Sequence, residues 1–574
     1  MKFKLDRFSG IAPAVATRLL ADQFAQTAQN IDFVSGVLTP IKGNSEAFTL
    51  QNGSRRSIFY FNDANWMEWA DNDVKAVRGP IPNDAYNRLY WTGDNGYPRM
   101  GTAATIVSGS SGYPAASYRL GVPAPEVAPP VSQAGTPDAT EVANTVSYVY
   151  TFVTAYGEEG PPSPSSALLD ITTPETVTIT MSATYHPSGN YNFGTGALKR
   201  IYRSNTGADT TAYQFVDEVA FATTSYVDNT PASELAEVLP SDTWVGPPDD
   251  NTSLYPDGPL QGLIPVANGI LAGFTGNRLC FSEPYLPHAW PVEYRKTLED
   301  NIVGIAATAN GVVVVTVGTP YFVTGIDPSS MSALKVPLAQ ACINARSVVD
   351  MGEYALYAGP DGLCKIGANE AVVVTEGAIT PAQWIANFNP TTYRAFEYEG
   401  TYVAFWYVSS TAGGFVYDPR NPEAAISTIV PSAEVRGGWV NPKDGQLYLI
   451  VSNKIQKYRG GSSYLTSTWK SKKFVTPRPA SFSWLYLSAE DWPVEAKVWC
   501  DGTLIAHYSL SKSGTTFTQT TTVPSGISTV AIGSRALMRL PATVGQEWEV
   551  QVSGAVIMNE VALTQSIEEI AGVE

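Results

Sequence analysis

At 574 residues the chain is too long for one ordinary core, so several domains are expected. Its 48 Gly, 41 Pro and 30 Tyr against only 16% charged residues point to a turn-rich, all-β protein. The net charge of −17 argues against bulk nucleic-acid binding, which needs clustered Lys and Arg.

Residues 1–43 are expected to form an N-terminal helix followed by a hairpin. Pro13 suits a first helical turn, and Leu20, Phe24 and Ile31 recur at helical spacing through ATRLLADQFAQTAQNI. That stripe is an expected assembly face, because an unpaired apolar stripe seeks a partner or a core. The turn Ser35-Gly36 in DFVSGVLTPIKG closes the hairpin. MKFKLDRFSG lacks the apolar stretch of a signal peptide, and no apolar run reaches ~18 residues, so folding in a cytoplasm without a spanning helix is expected.

Residues 44–120 read as further strands, dense in Trp66, Trp69, Tyr90, Trp91 and Tyr97. Such aromatics serve either as core or as a sugar-stacking platform. GVPAPEVAPPVSQAGTPD (121–138) is a Pro-rich linker. The 139–245 segment is expected to be an inserted β-sandwich. SYVYTFVTAYGEEGPPSPSS resembles the penultimate strand and turn of a fibronectin type III module, although the strand order is shifted. Of the whole charge, −14 falls between Leu120 and Asn277, where 17 acidic residues face only Lys199, Arg200 and Arg203.

From 255 to 460 one pattern recurs. Asn268-Gly269 and Asn310-Gly311 launch apolar runs, and Gly352, Gly400 and Gly445 precede comparable hairpins, at steps of 42, 41, 48 and 45 residues. Small sheets at such a period bury their faces by stacking, which predicts a β-propeller built from 44–120 and 255–460. Residues 461–566 alternate as strands of a C-terminal β-sandwich. Between Lys454 and Arg478 lie seven basic residues and no acidic one, either a solvated surface or a nucleic-acid patch.

The residues offer no catalytic constellation, metal site or cofactor motif. His186, His288 and His507 fall in separate segments, and Cys280, Cys342, Cys364 and Cys500 show no C-x-x-C spacing, so buried free thiols are expected. A glycosidase pair cannot be singled out among the many surface carboxylates.

FSGIAPAVATRLLADQFAQTAQNIDFVSGVLTPIKG, GNRLCFSEPYLPHAWP and ALYAGPDGLCKI resemble the tail nozzle (tail tubular protein B) family of short-tailed phages. The resemblance covers residues 1–43 and much of 262–460. It implies a structural virion protein, assembled in the host cytoplasm, whose closed homohexameric ring extends the tail tube. Its implied partners are other copies of itself, portal, adaptor or tail-tube proteins, tail fibres, and double-stranded DNA passing through the lumen without specific binding. Bulky loop tips between blade strands are the expected channel gates: Tyr285, Leu286, Pro287, His288 and Trp290 in one loop, Pro328 and Met331 in another. Two other readings are a glycan-binding adhesin and a propeller hydrolase.

Overall fold

The computed structural model describes every residue except 52, 72, 110, 111, 185–188, 207–209, 422–425, 514, 515, 522–530, 533, 534 and 572–574. The chain is mostly β and divides into two units. One comprises Met1–Ile58, Gly318–Pro320 and Val336–Glu574, the other Phe59–Val317 and Tyr321–Lys335.

In the first unit, three four-stranded antiparallel arrays follow one another, at 349–373, 394–429 and 435–457. The last has only three strands of its own, and Ser45–Thr49 joins as the fourth by pairing with Lys454–Lys457. The middle array is apolar on both faces, which its strand alternation accounts for. Tyr402 and Ala404 pack with Leu356 and Leu363 of the preceding sheet. Val403 and Phe405 pack with Leu447 and Leu449 of the following one. A strand buried on both sides reads as a near-continuous apolar run, and TYVAFWYV is one. Its hairpin turns on Glu399 and Gly400, both at positive φ (51° and 77°), the geometry of a type I′ turn.

The segment from 461 onward supplies two further sheets around one core. Lys2–Leu5, Met558–Thr564, Trp484–Ala489 and Arg535–Arg539 form one. Ser467–Ser471, Gly545–Gly554, Val494–Cys500 and Thr503–Ser513 form the other, which runs on through Ala25–Gln29 into the 394–429 array as one sheet. Leu485, Leu487, Val498, Val550, Trp548 and Leu563 lie between them.

The N-terminal helix expected over Pro13 to Ile31 does not form. Residues 12–24 make successive turns, and Ala25–Gln29 is a strand. That strand pairs antiparallel with Ser467–Ser471 and, through Gln29 and Thr428, parallel with Ile426–Ile429. Helix propensity differs by only tenths of a kcal/mol per ordinary residue, so a strand that completes one sheet between Ile426–Ile429 and Ser467–Ser471 wins. Asn30 then adopts φ +56°, which no α-helix continues. The longest helix among the described residues is instead Pro381–Phe388, which buries Trp384 and Phe388. Thr380 caps it, Gln383 returns the bond to the Thr380 N–H, and Pro381 takes the first turn.

The second unit holds four-stranded antiparallel sheets at 75–119, 261–297 and 302–335. The central one again faces two neighbours by alternation. Leu271 and Cys280 pack with Val77, Tyr90 and Met100, while Ala272, Leu279 and Phe281 pack with Val312, Val314 and Val323. Between the first and second sheets the chain makes two three-stranded sheets. One is Val131–Ala134, Thr176–Thr180 and Ser225–Asp228, the other Tyr148–Val153, Leu198–Thr206 and Thr211–Ala220. They enclose Tyr148, Tyr150, Phe152, Ile179 and Ile201.

Candidate functional site

The loops expected to gate a channel join the third and fourth strands of two consecutive sheets in the second unit. Their bulky residues turn inward. Trp290 is fully buried with Leu263 and Cys280, and its Nε1 donates to the Pro287 carbonyl at 2.8 Å. His288, Pro287, Pro328 and Met331 are also buried, and Leu286 is half-buried. Of the seven residues, Tyr285 alone is exposed. The reason is area: a loop beside a stacked core gains more by burying a large ring than by presenting it.

The first of these loops adjoins the root of the 131–228 sheets, where the chain leaves the 75–119 sheet and later returns. The two crossings touch at Gly121 and Gly246: a Cβ on Gly121 would lie 3.1 Å from the Gly246 Cα, and Gly121 has φ +113°. The Trp290 N–H donates to the Val245 carbonyl at 2.7 Å. Beside them a charged group is buried. Arg88 Nε reaches Asp84 at 2.8 Å and Nη1 reaches Glu158 at 2.6 Å, with all three side chains at most 10% exposed. Next along the chain, Glu159 accepts from Thr151, Tyr202 and Arg200. A buried guanidinium held by two carboxylates fixes geometry strictly, because losing one partner strands a charge in low dielectric.

His288 faces this group. It is 2% exposed, neither ring nitrogen has a hydrogen-bond partner, and the Trp244 ring lies edge-on at 6.0 Å. Burial holds its imidazole pKa below the ordinary value. The Tyr90 hydroxyl, also buried without a partner, is pushed well up by burial.

The expected assembly face does not exist as one stripe. Ile31 lies in the core of the 461–564 sheets, and Leu20 is 4% exposed. Leu20 and Phe24 line an apolar cavity of about 340 Å³ with Ile11, Ala378, Tyr417 and Ile426. Without a helix, Ile31 no longer shares a side with Leu20 and Phe24.

Trp66, Trp69, Tyr90 and Trp91 are buried, so they form core and not a sugar platform. Tyr97 carries the guanidinium of Arg119 over its ring at 3.9 Å and that of Arg99 at 4.7 Å. Five of the seven residues of the basic run are ion-paired: Lys454 to Glu46, Arg459 to Asp32, Lys470 to Glu549, Lys472 to Asp22 and Lys473 to Glu547. Pairing neutralises the run, which favours a solvated surface over a phosphate patch. The four cysteines are free and buried, and burial pushes Cys280, Cys342 and Cys364 up to about 12. His507 lies 3.4 Å from Glu495, and His186 is outside the described residues. Among the described residues, no group of three or more His, Cys, Asp or Glu is placed to hold a metal ion, and no helix is long and apolar enough to cross a membrane.

Sequence reasoning missed the Asp84–Arg88–Glu158 group, since 70 residues separate Arg88 from Glu158. Only the i,i+4 spacing of Asp84 and Arg88 was a local signal.

No protein-family model and no curated protein sequence matches the chain. Among solved structures it is similar to a protein described provisionally as a gluconolactonase, at 10% identity and TM-score 0.24, covering 45% of this chain and 83% of that one. It is also similar to the dihydro-heme d1 dehydrogenase NirN, at 10% identity and TM-score 0.23, covering 72% and 80%. A protein of unknown function from Desulfotomaculum acetoxidans matches at 8% identity and TM-score 0.22, covering 68% and 96%. Likenesses at these scores carry no argument about function.

Proposed function

We propose that this chain is a structural virion protein, a subunit of the ring-shaped tail nozzle of a short-tailed phage. In this reading the four-stranded arrays are blades of one β-propeller. The 131–228 sheets are its fibronectin III-like insert, and the 461–564 sheets are its C-terminal sandwich. The observation that carries the reading is the stacking of small sheets apolar on both faces. Leu271 and Ala272 face opposite neighbours in one unit, as Val403 and Ala404 do in the other. A propeller buries its sheets this way and presents rigid flanks, which suit a closed ring.

The sequence resemblance supports the same reading. Its N-terminal string supplies Ala25–Gln29, the strand that joins the 394–429 array to Ser467–Ser471 in one sheet. The role is passage and retention of DNA, without chemistry. Copies of the chain close the ring, adaptor or tail-tube proteins hold it on the virion, and DNA runs through the lumen without tight phosphate contacts. Native mass spectrometry of the purified chain tests this. A discrete species at six times the 61.6 kDa chain mass is expected. A monomer alone at every concentration up to about 10 μM contradicts it, since ring subunits associate by mass action.

A further inference from the structure

The loops that turn their large rings inward leave a different set of side chains outside. Ile326 is 80% exposed, Val292 58% and Tyr285 49%. They come from two loops, Tyr285 and Val292 from one and Ile326 from the other, and the turn Asn268-Gly269 ties the two loops together. Asn268 Nδ2 donates to the Ile326 carbonyl at 2.9 Å, and the Tyr285 N–H donates to the Gly269 carbonyl at 2.9 Å. The Tyr285 ring lies over Gly269 so closely that a Cβ there would come within 2.6 Å of it.

Tyr285 itself sits at φ +60°, a left-handed conformation that a bulky residue rarely adopts. An exposed aromatic held in that conformation by backbone bonds is presented, not left over. Val292 begins a short 3-10 turn, Val292–Tyr294, whose Tyr294 hydroxyl donates to Glu283 Oε1 at 3.1 Å. The loop of Ile326 is stiffened by Asp327, which accepts from the Ser329 N–H at 2.9 Å.

Within the two loops the charge has one sign, and Arg295, which follows the first, lays its guanidinium over the Tyr255 ring at 5.3 Å. Loop residues 283–294 and 325–331 contain Glu283, Glu293 and Asp327 and no Lys or Arg. Both Asp327 and Glu293 lie close enough to act on Glu283, whose carboxyl is raised above its ordinary range first by burial and then by them. An apolar centre of Tyr, Val and Ile inside an acidic rim has the anatomy of a protein interface, in which aromatic anchors supply affinity and rim charges select the partner.

We propose that Tyr285, Val292 and Ile326 form a docking surface for another protein, one presenting an exposed apolar side chain flanked by Lys or Arg. A second copy docking through the same patch is disfavoured, because two acidic rims would meet. The inference stands apart from the nozzle reading, since it uses only these loops.

The test uses the full chain and a fluorescein-labelled twelve-residue peptide of alternating leucine and lysine pairs, with its leucine–glutamate counterpart as control. Fluorescence anisotropy is read at low and high salt for the wild type, Ile326→Ser, Tyr285→Ser and Glu293→Lys. The expected result is saturable binding of the basic peptide that weakens in high salt, with no binding of the acidic one. Each variant should weaken it roughly tenfold or more at low salt, the loss expected when a central anchor or a rim charge is changed. All three sites are exposed, and unchanged thermal unfolding of the variants would show the fold intact. Equal binding by wild type and variants would assign the attraction to the chain's general acidity and overturn the proposal. Absence of saturable binding would also overturn it. So would self-association of the wild type that Ile326→Ser abolishes, because the occupant would then be a second copy.

Discussion

Asn30 and Val430 are 400 residues apart in sequence and joined by one hydrogen bond, from the Val430 N–H to Asn30 Oδ1 at 3.1 Å. The other end of the same amide donates to the Thr466 carbonyl at 3.0 Å, and the Asn30 N–H donates to the Thr428 carbonyl at 2.8 Å. One buried side chain thus secures the place where strand Ala25–Gln29 lies between Ile426–Ile429 and Ser467–Ser471.

Asn30→Ala should destabilise this unit by about 2–4 kcal/mol. It leaves the Val430 N–H and the Thr466 carbonyl without their partner and puts a Cβ-bearing residue without a side-chain amide at positive φ. Asn30→Gly should cost less, because it keeps the backbone conformation at ease. Urea unfolding of the three proteins checks the order. Equal stability of all three would show that the amide does not hold the strand.

Arg88, Asp84 and Glu158 make a second long-range tie, in the other unit. Arg88→Met alone should cost about 3–5 kcal/mol, since it strands two carboxylates in a buried site. The triple change Arg88→Met, Asp84→Asn, Glu158→Gln should recover part of that loss. A triple variant that falls by the sum of its single changes would contradict the coupling. Chemical denaturation followed by tryptophan fluorescence separates the cases.

His288 gives a pH dependence with a definite sign. Its folded-state pKa lies below the ordinary 6.5, held there first by burial and opposed by Glu158 and Glu159, while Arg88 adds to the depression. The unfolded chain therefore binds the proton first as pH falls. Stability should be flat with respect to this group above about pH 7.5 and fall as pH drops through about 6.5. His288→Phe should flatten that part of the profile. Thermal unfolding of both proteins between about pH 8 and about pH 5.5 measures it, and parallel profiles would remove His288 as the cause.

Much of this architecture was legible in the sequence because local signals and global packing agreed. Each of the five glycine-marked repeats from Gly269 to Gly445 becomes a four-stranded antiparallel array, the last taking a strand from residues 45–49. The asparagine-glycine turns and alternating runs specify hairpins within a few residues, so no distant information was needed. Strand Ala25–Gln29 was illegible for the opposite reason. AQTAQ suits a helix locally, and only its distant partners at 428 and 468–471 make it a strand. The helix Pro381–Phe388 was marked by its T-P-A-Q capping box and went unread. For the loops, composition showed which residues were bulky but not which way they faced. Trp290 and Tyr285 look alike in sequence, yet one ends fully buried and the other half exposed.

If the ring retains DNA sterically, double-stranded DNA should bind it weakly. The pairing of Lys454, Arg459, Lys470, Lys472 and Lys473 with carboxylates leaves few free cations in the one basic run. Electrophoretic retardation across a salt series should show little binding at low salt and a shallow slope. Tight binding that falls steeply with salt would mean several neutralised phosphates and would sink the steric account.

We propose that stacked sheets make this chain a ring-forming nozzle subunit. Electron microscopy of the purified, unlabelled protein tests it most directly, by averaging end-on views without imposed symmetry. Closed rings of six subunits around an open or plugged channel are the predicted result. Single particles or open chains of subunits, under conditions where the protein is folded, would contradict it.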